Sequence, residues 1–236
     1  MTPLILLPGM MCDARLFAPQ IEAFSGERCV HLAPLSAHDK VEALASDVLA
    51  NAPPRFALAG LSMGGIVAME VLRQAPERVE RIALIATNPR AEAQEIQDRR
   101  EPQIARVLKG ELEAVMNEAM LANYPAATDK AGWGADHPLR LLCLDMAKRV
   151  GAQAFERQSR ALQTRPDQQE TLSHAKLPAL ILCGDGDRLC PIERHQLMHS
   201  LIAGSELVVL KGAGHILTLE RPNETNAALS RWLEPS

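Results

Sequence analysis

The stretch that most limits how this chain can fold is Phe56-Ala57-Leu58-Ala59-Gly60-Leu61-Ser62-Met63-Gly64-Gly65. An apolar run of strand length enters a turn spelling G-x-S-x-G, and residues 66–73 continue apolar at helical spacing until Pro76 stops them. The pattern predicts a buried strand, a sharp turn and a helix, with Glu70, Arg73 and Gln74 turned to water. A side chain at Gly60 or Gly64 is expected to collide with the neighbouring strand or helix. A serine at the tip of such a turn holds its hydroxyl clear of a sheet, where it can attack a carbonyl. An idle serine in a glycine-rich turn spells the same motif, so the choice rests on the rest of the chain.

Around this unit, strand-like and helix-like runs alternate. Strands are expected at residues 3–7, 28–32, 81–86, 178–183 and 206–210, and helices at 14–24, 40–51, 192–202 and 221–233. Asp13 is placed to cap the first helix. Between about residues 90 and 165 strand-like runs vanish, and four charged, helix-favouring segments replace them, broken at Gly110, Tyr124-Pro125, residues 132–138 and Gly151. The expected domains are therefore a core of residues 1–89 and 166–236 and a helical insertion at 90–165. Near-continuous apolar strands alternating with helices make this an α/β chain with a parallel sheet covered on both faces. Ligands bind beyond the carboxyl ends of such strands.

Three loops that each follow a strand carry the candidate chemistry, so they should meet on one edge of the sheet. They hold Ser62, Asp187 and His215. A serine hydroxyl needs a base within hydrogen-bond reach, and the base needs a third group to fix its tautomer. His215, in the loop Gly212-Ala213-Gly214-His215, is the base candidate. None of the other six histidines lies in such a loop. His195 and His199 sit four apart on a helix, but no metalloprotease pattern surrounds them, and a solvated face is expected. Asp185 and Asp187 follow the same strand; Asp187 is preferred because its loop can turn toward His215. The oxyanion of an acyl-transfer intermediate needs preorganised donors. The backbone N–H groups of Met63, at a helix start, and of Met10, after the first strand, are the candidates.

Composition narrows the classes. The formal charge of −4 argues against a general nucleic-acid binder, and no apolar run reaches membrane-spanning length. Five cysteines without a C-x-x-C pair point to free thiols and a cytoplasmic protein. Aromatics are 3% of residues, so aliphatic residues and nine methionines must fill the core and any pocket. No ligand cluster or dinucleotide fingerprint implies a metal or organic cofactor.

Taken together, Leu7-Pro8-Gly9-Met10, Gly60-Leu61-Ser62-Met63-Gly64-Gly65, Gly184-Asp185-Gly186-Asp187 and Gly214-His215 resemble the α/β-hydrolase superfamily. Pro76-Glu77-Arg78-Val79 is similar too. The resemblance covers the chain outside the helical insertion, which sits where that family carries its cap. It implies Ser62 as nucleophile, His215 as base, Asp187 as acid, and the amides of Met10 and Met63 as oxyanion hole. Pro8-Gly9 stands where many members have His-Gly. The chain opens at the family's third strand, so about six mostly parallel strands are expected, without the amino-terminal hairpin.

The insertion is expected to roof the site. Met11, Leu61 and Ile216 flank the catalytic loops, and Met120, Tyr124 and Leu142 are candidate substrate contacts from the roof. Packing of the insertion's own core is the alternative for these roof residues. Residues 140–165 carry six basic and two acidic side chains, which suits either a solvated face or an acidic carrier protein. The expected activity is hydrolysis of a small carboxylic ester or related acyl compound through a Ser62 acyl-enzyme. Enol-lactone or C–C bond hydrolysis, carrier-protein methyl ester cleavage and a peracid-forming side activity use the same triad. A non-catalytic ligand receptor is the alternative from another class.

Overall fold

The computed structural model describes residues 1–129 and 132–234, leaving two positions of the 90–165 stretch outside the described residues. Six strands form one sheet in the order β2-β1-β3-β4-β5-β6, and every neighbouring pair is parallel. They are β1 (Leu4–Leu7), β2 (Val30–Leu32), β3 (Phe56–Leu61), β4 (Val79–Ile85), β5 (Ala179–Gly184) and β6 (Glu206–Leu210). Strands β1, β3 and β5 are buried along their whole length, as expected where helices cover both faces.

Two groups of helices provide that cover. Helices α2 (Val41–Asn51), α3 (Met63–Gln74), α8 (Gln169–Ser173) and α9 (Ile192–Leu201) pack side by side. Helices α1 (Ala18–Phe24), α10 (Leu217–Glu220) and α11 (Pro222–Leu233) form the second group. Asp13 caps a short 3-10 turn at Ala14–Phe17, accepting from the Arg15 amide, rather than one continuous helix to Phe24. Between β4 and β5 run α4 (Gln94–Arg106), α5 (Leu112–Ala119), α6 (Pro138–Val150) and α7 (Ala152–Gln163), which pack mainly on one another. Gly110 at φ 98° and Gly151 at φ 89° end two of these segments where the sequence breaks suggested.

Helix α3 departs from the sequence reading. Glu70 does not face water: its side chain is fully buried, and it accepts hydrogen bonds from Arg73, Gln74 and Gln168. The helix lies at the centre of its layer, between α2 and α8, so even its polar side meets protein. A buried carboxylate persists only with such partners, and they hold its carboxyl below the usual range although burial alone would raise it.

The register places the loops. Leu61 aligns with Ile85, Ile85 with Leu182, and Leu182 with Val208, so β3, β4, β5 and β6 end within a few residues of one level. The chain segments that follow them share one sheet edge.

Candidate active site

Ser62 immediately precedes α3 with φ 56° and ψ −114°, a positive-φ conformation that costs a non-glycine residue roughly 1–3 kcal/mol. The surrounding backbone enforces it. A Cβ on Gly60 would lie 2.2 Å from the Gly64 carbonyl oxygen, and one on Gly64 would lie 1.9 Å from the Leu7 carbonyl oxygen. Only glycine lets strand, turn and helix approach this closely. Behind the turn, the Thr87 hydroxyl donates to the Ser62 carbonyl at 2.7 Å, and the Thr87 amide donates to His195 Nε2 at 3.1 Å.

The three sequence candidates converge. His215 Nε2 is 3.0 Å from Ser62 Oγ, and His215 Nδ1 lies 2.9 and 3.1 Å from the two carboxylate oxygens of Asp187. A carboxylate only accepts, so Nδ1 carries the proton and the Nε2 lone pair faces the serine hydroxyl. Asp187 Oδ1 also accepts from the amides of Leu189 and Cys190, each at 2.9 Å. Burial opposes ionisation of this carboxyl, but His215 and the two amides outweigh it and hold it below its ordinary value. Asp185 faces elsewhere and accepts from the Gly212 amide.

A cavity of about 440 Å³ opens over this group, within the size range of small-molecule sites. Met10, Met63 and Met120 line it together with Ser62 and His215. Met63 begins α3, whose first amides have no intrahelical acceptor. Met11, Leu61 and Ile216 are instead buried in the core, and Leu142 packs half-buried against it. Tyr124 is buried beside His215: its carbonyl accepts from the His215 amide at 2.9 Å, and the two ring centroids are 5.4 Å apart. Met116, Leu121 and Met146 are core residues as well.

The same order of elements and loops occurs in known proteins. Residues 4–228 match the family model described as alpha/beta hydrolase family. The chain belongs to the alpha/beta hydrolase family. A pimeloyl-[acyl-carrier protein] methyl ester esterase of Aliivibrio salmonicida is 25% identical to it, over 98% of this chain and 92% of the relative. The same enzyme of Klebsiella pneumoniae is 26% identical over 93% of this chain and 88% of its own. Among solved structures, a malate-bound thermophilic esterase of Thermogutta terrifontis superposes with a TM-score of 0.88 at 24% identity, covering 99% of this chain and 89% of that one. An enol-lactonase of Burkholderia xenovorans superposes at 0.85 and 23% identity, covering 99% and 92%. These structural likenesses bear on the fold.

This alpha/beta hydrolase also contains site-forming residues that local sequence pattern did not single out. Glu220 accepts from the amides of Gly214 at 2.9 Å and Ile216 at 3.0 Å, gripping the loop on both sides of His215. Burial raises its carboxyl above the ordinary value, against the opposing effect of those two amides. Gln158 of α7 accepts from the Met11 amide at 2.9 Å and donates to the Leu35 carbonyl at 2.7 Å, which ties the loop after β1 to α7. His195 is buried and unsolvated, contrary to the expectation for its helix face. Its Nε2 accepts from Thr87, so its Nδ1 faces the Pro191 carbonyl as donor at 3.3 Å. Gln158 and His195 lie far in sequence from Met11 and Thr87, and Glu220, though only four and six residues past its partners, belongs to no motif.

Proposed function

We propose that the protein is a serine hydrolase of carboxylic esters or related acyl compounds. The observation that carries this is the chain Ser62 Oγ to His215 Nε2 to Asp187, with separations of 3.0 and 2.9 Å. In the reading we favour, His215 takes the Ser62 proton as Oγ attacks the ester carbonyl. The amides of Met10 and Met63 receive the oxyanion. His215 then gives the proton to the departing alcohol, and a water molecule, deprotonated in turn by His215, releases the acid from the acyl-enzyme. Loss of one oxyanion donor typically costs about 2.7–4 kcal/mol of transition-state stabilisation.

Residues 90–165 act here as a cap on a core of residues 1–89 and 166–236, with Met120 touching substrate. Support comes from the cavity itself, whose wall is shared between core residues and residues of that stretch. The five cysteines are all unpaired, in keeping with a reducing cytoplasmic setting, and among the described residues no helix is long and apolar enough to cross a membrane.

The names of the curated relatives raise carrier-protein methyl ester cleavage as a second reading. The basic residues of 140–165 lend it little electrostatic support. Lys148 pairs with Glu113, Arg149 with Asp145, and Arg160 with Glu101 and Glu156, so these three of the six basic side chains are already held by carboxylates.

Hydrolysis of p-nitrophenyl esters from acetate to dodecanoate by wild type and Ser62→Ala tests the leading reading. Turnover in wild type should fall by at least about a thousandfold in the variant. Equal turnover by the two proteins, or none by wild type together with no fluorophosphonate labelling of Ser62, would sink it.

A further inference from the structure

The wall of the cavity has a charge opposite to that of the whole chain. Arg90, Arg99, Arg100, Arg165 and Arg194 line it, and among the described residues that line it Glu92 is the one carboxylate, in a chain of net charge −4. Two of these arginines form a built cluster. Arg100 binds Glu92 through Nε at 2.7 Å and Nη2 at 2.6 Å, while Arg165 binds the same carboxylate through Nη1 at 3.0 Å. The side chains are 11% exposed for Arg100, 10% for Arg165 and 3% for Glu92, so the group is largely removed from bulk water.

The group does not balance its own charge. Two guanidiniums share one carboxylate, leaving one positive charge at the edge of the cavity. Burial lowers the proton affinity of Arg165 below its usual value, against the pull of Glu92, but a guanidinium keeps its proton at any pH of interest. Desolvated charge of this kind is costly unless a partner meets it. The remaining donors are specific. Arg165 Nε is taken by the Arg90 carbonyl and its Nη1 by Glu92; Arg100 Nε and Nη2 are taken by Glu92. Among the described residues that leaves Arg165 Nη2, and Arg100 Nη1, which makes only a weak hydrogen bond to the sulfur of Met10 at 3.8 Å. Met10 is the residue whose amide we assign to the oxyanion hole, and its side chain joins the arginine pair to the loop that carries that amide.

We propose that Arg100 and Arg165, held by Glu92, form a subsite for one carboxylate, and that the substrate is a half-ester of a dicarboxylic acid. The inference rests on the serine-hydrolase reading and specifies its substrate. One unbalanced charge matches a monoanion, and the two remaining guanidinium nitrogens match the two oxygens of a carboxylate, a planar acceptor that arginine recognises better than a point cation does. The ester carbonyl meets Ser62 while the far carboxylate meets the arginines. The cavity volume suits an aliphatic chain of a few carbons between them.

The test compares monomethyl adipate with methyl hexanoate, equal in chain length and different in charge, at pH 7 and low salt. Wild type should favour the half-ester in kcat/KM by about tenfold or more. Arg165→Gln should reduce that preference about tenfold, and Arg165→Lys should retain part of it. Wild type that hydrolyses methyl hexanoate as well as monomethyl adipate would overturn the subsite while leaving the serine-hydrolase reading intact. Calorimetry with free adipate separates the two ideas further, because it needs no turnover. Adipate should bind wild type and bind Arg165→Gln at least about tenfold more weakly. Equal binding by both proteins, or inorganic phosphate binding wild type as tightly as adipate, would overturn the carboxylate assignment. Adipate binding as expected, without hydrolysis of either ester or labelling of Ser62, would overturn the hydrolase reading and keep the subsite.

Discussion

At the scale of single residues, the site is a set of acceptors and donors that each have one workable arrangement. His215 faces a carboxylate on one nitrogen and a hydroxyl on the other, which selects one neutral tautomer. Glu220 stands outside the chain of Ser62, His215 and Asp187 yet holds the backbone on both sides of that histidine. Glu220→Gln places an NH2 group against one of two backbone N–H donors, so the loop must shift. A shift of a fraction of an ångström at the base should lower kcat by about ten- to a hundredfold, with KM within about twofold of wild type. Steady-state kinetics on a p-nitrophenyl ester would check this. A proportional rise in KM with kcat unchanged would mean that Glu220 shapes the pocket rather than the base.

At the scale of elements, the sheet edge concentrates strain where the chemistry is proposed. Among the described residues, the non-glycine residues with positive φ are Met11, Ser62 and Ala86, following or ending β1, β3 and β4. Three strand ends are thus bent sharply at one edge, and packing elsewhere must offset the cost. The closest approach is Gly64 to β1. A methyl group there meets a backbone carbonyl, which cannot rotate aside as a side chain could. Gly64→Ala should destabilise the protein by at least about 3 kcal/mol, read as a lower denaturation midpoint in urea, or should leave it insoluble. Wild-type stability in this variant would show that α3 can slide relative to β1, and that the tight elbow is not required by the fold.

At the scale of the whole molecule, buried ionisable groups link folding to pH. Burial lowers the pKa of His195 from 6.5 to about 4, with Asp187 pulling weakly the other way. Protonation would also place an N–H on Nε2 directly against the Thr87 amide. The unfolded chain therefore binds this proton first as pH falls, so stability present above about pH 6.5 is lost on acidification toward pH 4. The loss from this one residue is up to about 3 kcal/mol. Glu220 has the opposite sign: its raised carboxyl pKa favours the folded state below the ordinary range and loses that contribution as pH rises through it. Asp187, held below its ordinary value, adds a further loss only in stronger acid. Urea denaturation of wild type and His195→Gln between pH 7 and pH 4 isolates the histidine, since the other groups largely cancel in the difference. The gap between the two proteins should move in favour of the variant as pH falls. A gap that stays constant would mean that His195 titrates normally in the folded protein.

Periodicity and turn chemistry were enough to read six parallel strands, the elbow at Ser62, and the three loops that meet at one edge. Each of those features is local: an apolar run, a glycine that cannot carry a Cβ, a strand end whose direction sets where its loop emerges. Two breaks between the helices of residues 90–165, at Gly110 and Gly151, were legible for the same reason. What those helices cover was not. Side chains there pack on partners scattered along the chain, and hydrophobic type alone does not separate a pocket wall such as Met120 from core such as Met11 or Met146. Polarity misled in the same way at Glu70 and His195, where tertiary neighbours supplied the hydrogen bonds that water would otherwise make. Local sequence determined the backbone scaffold and the order of its reactive residues, because steric and hydrophobic rules act over a few residues. Only the tertiary structure decided which polar groups are buried, which arginines share Glu92, and which charge faces the cavity, because those pairings join residues with no fixed spacing in the chain.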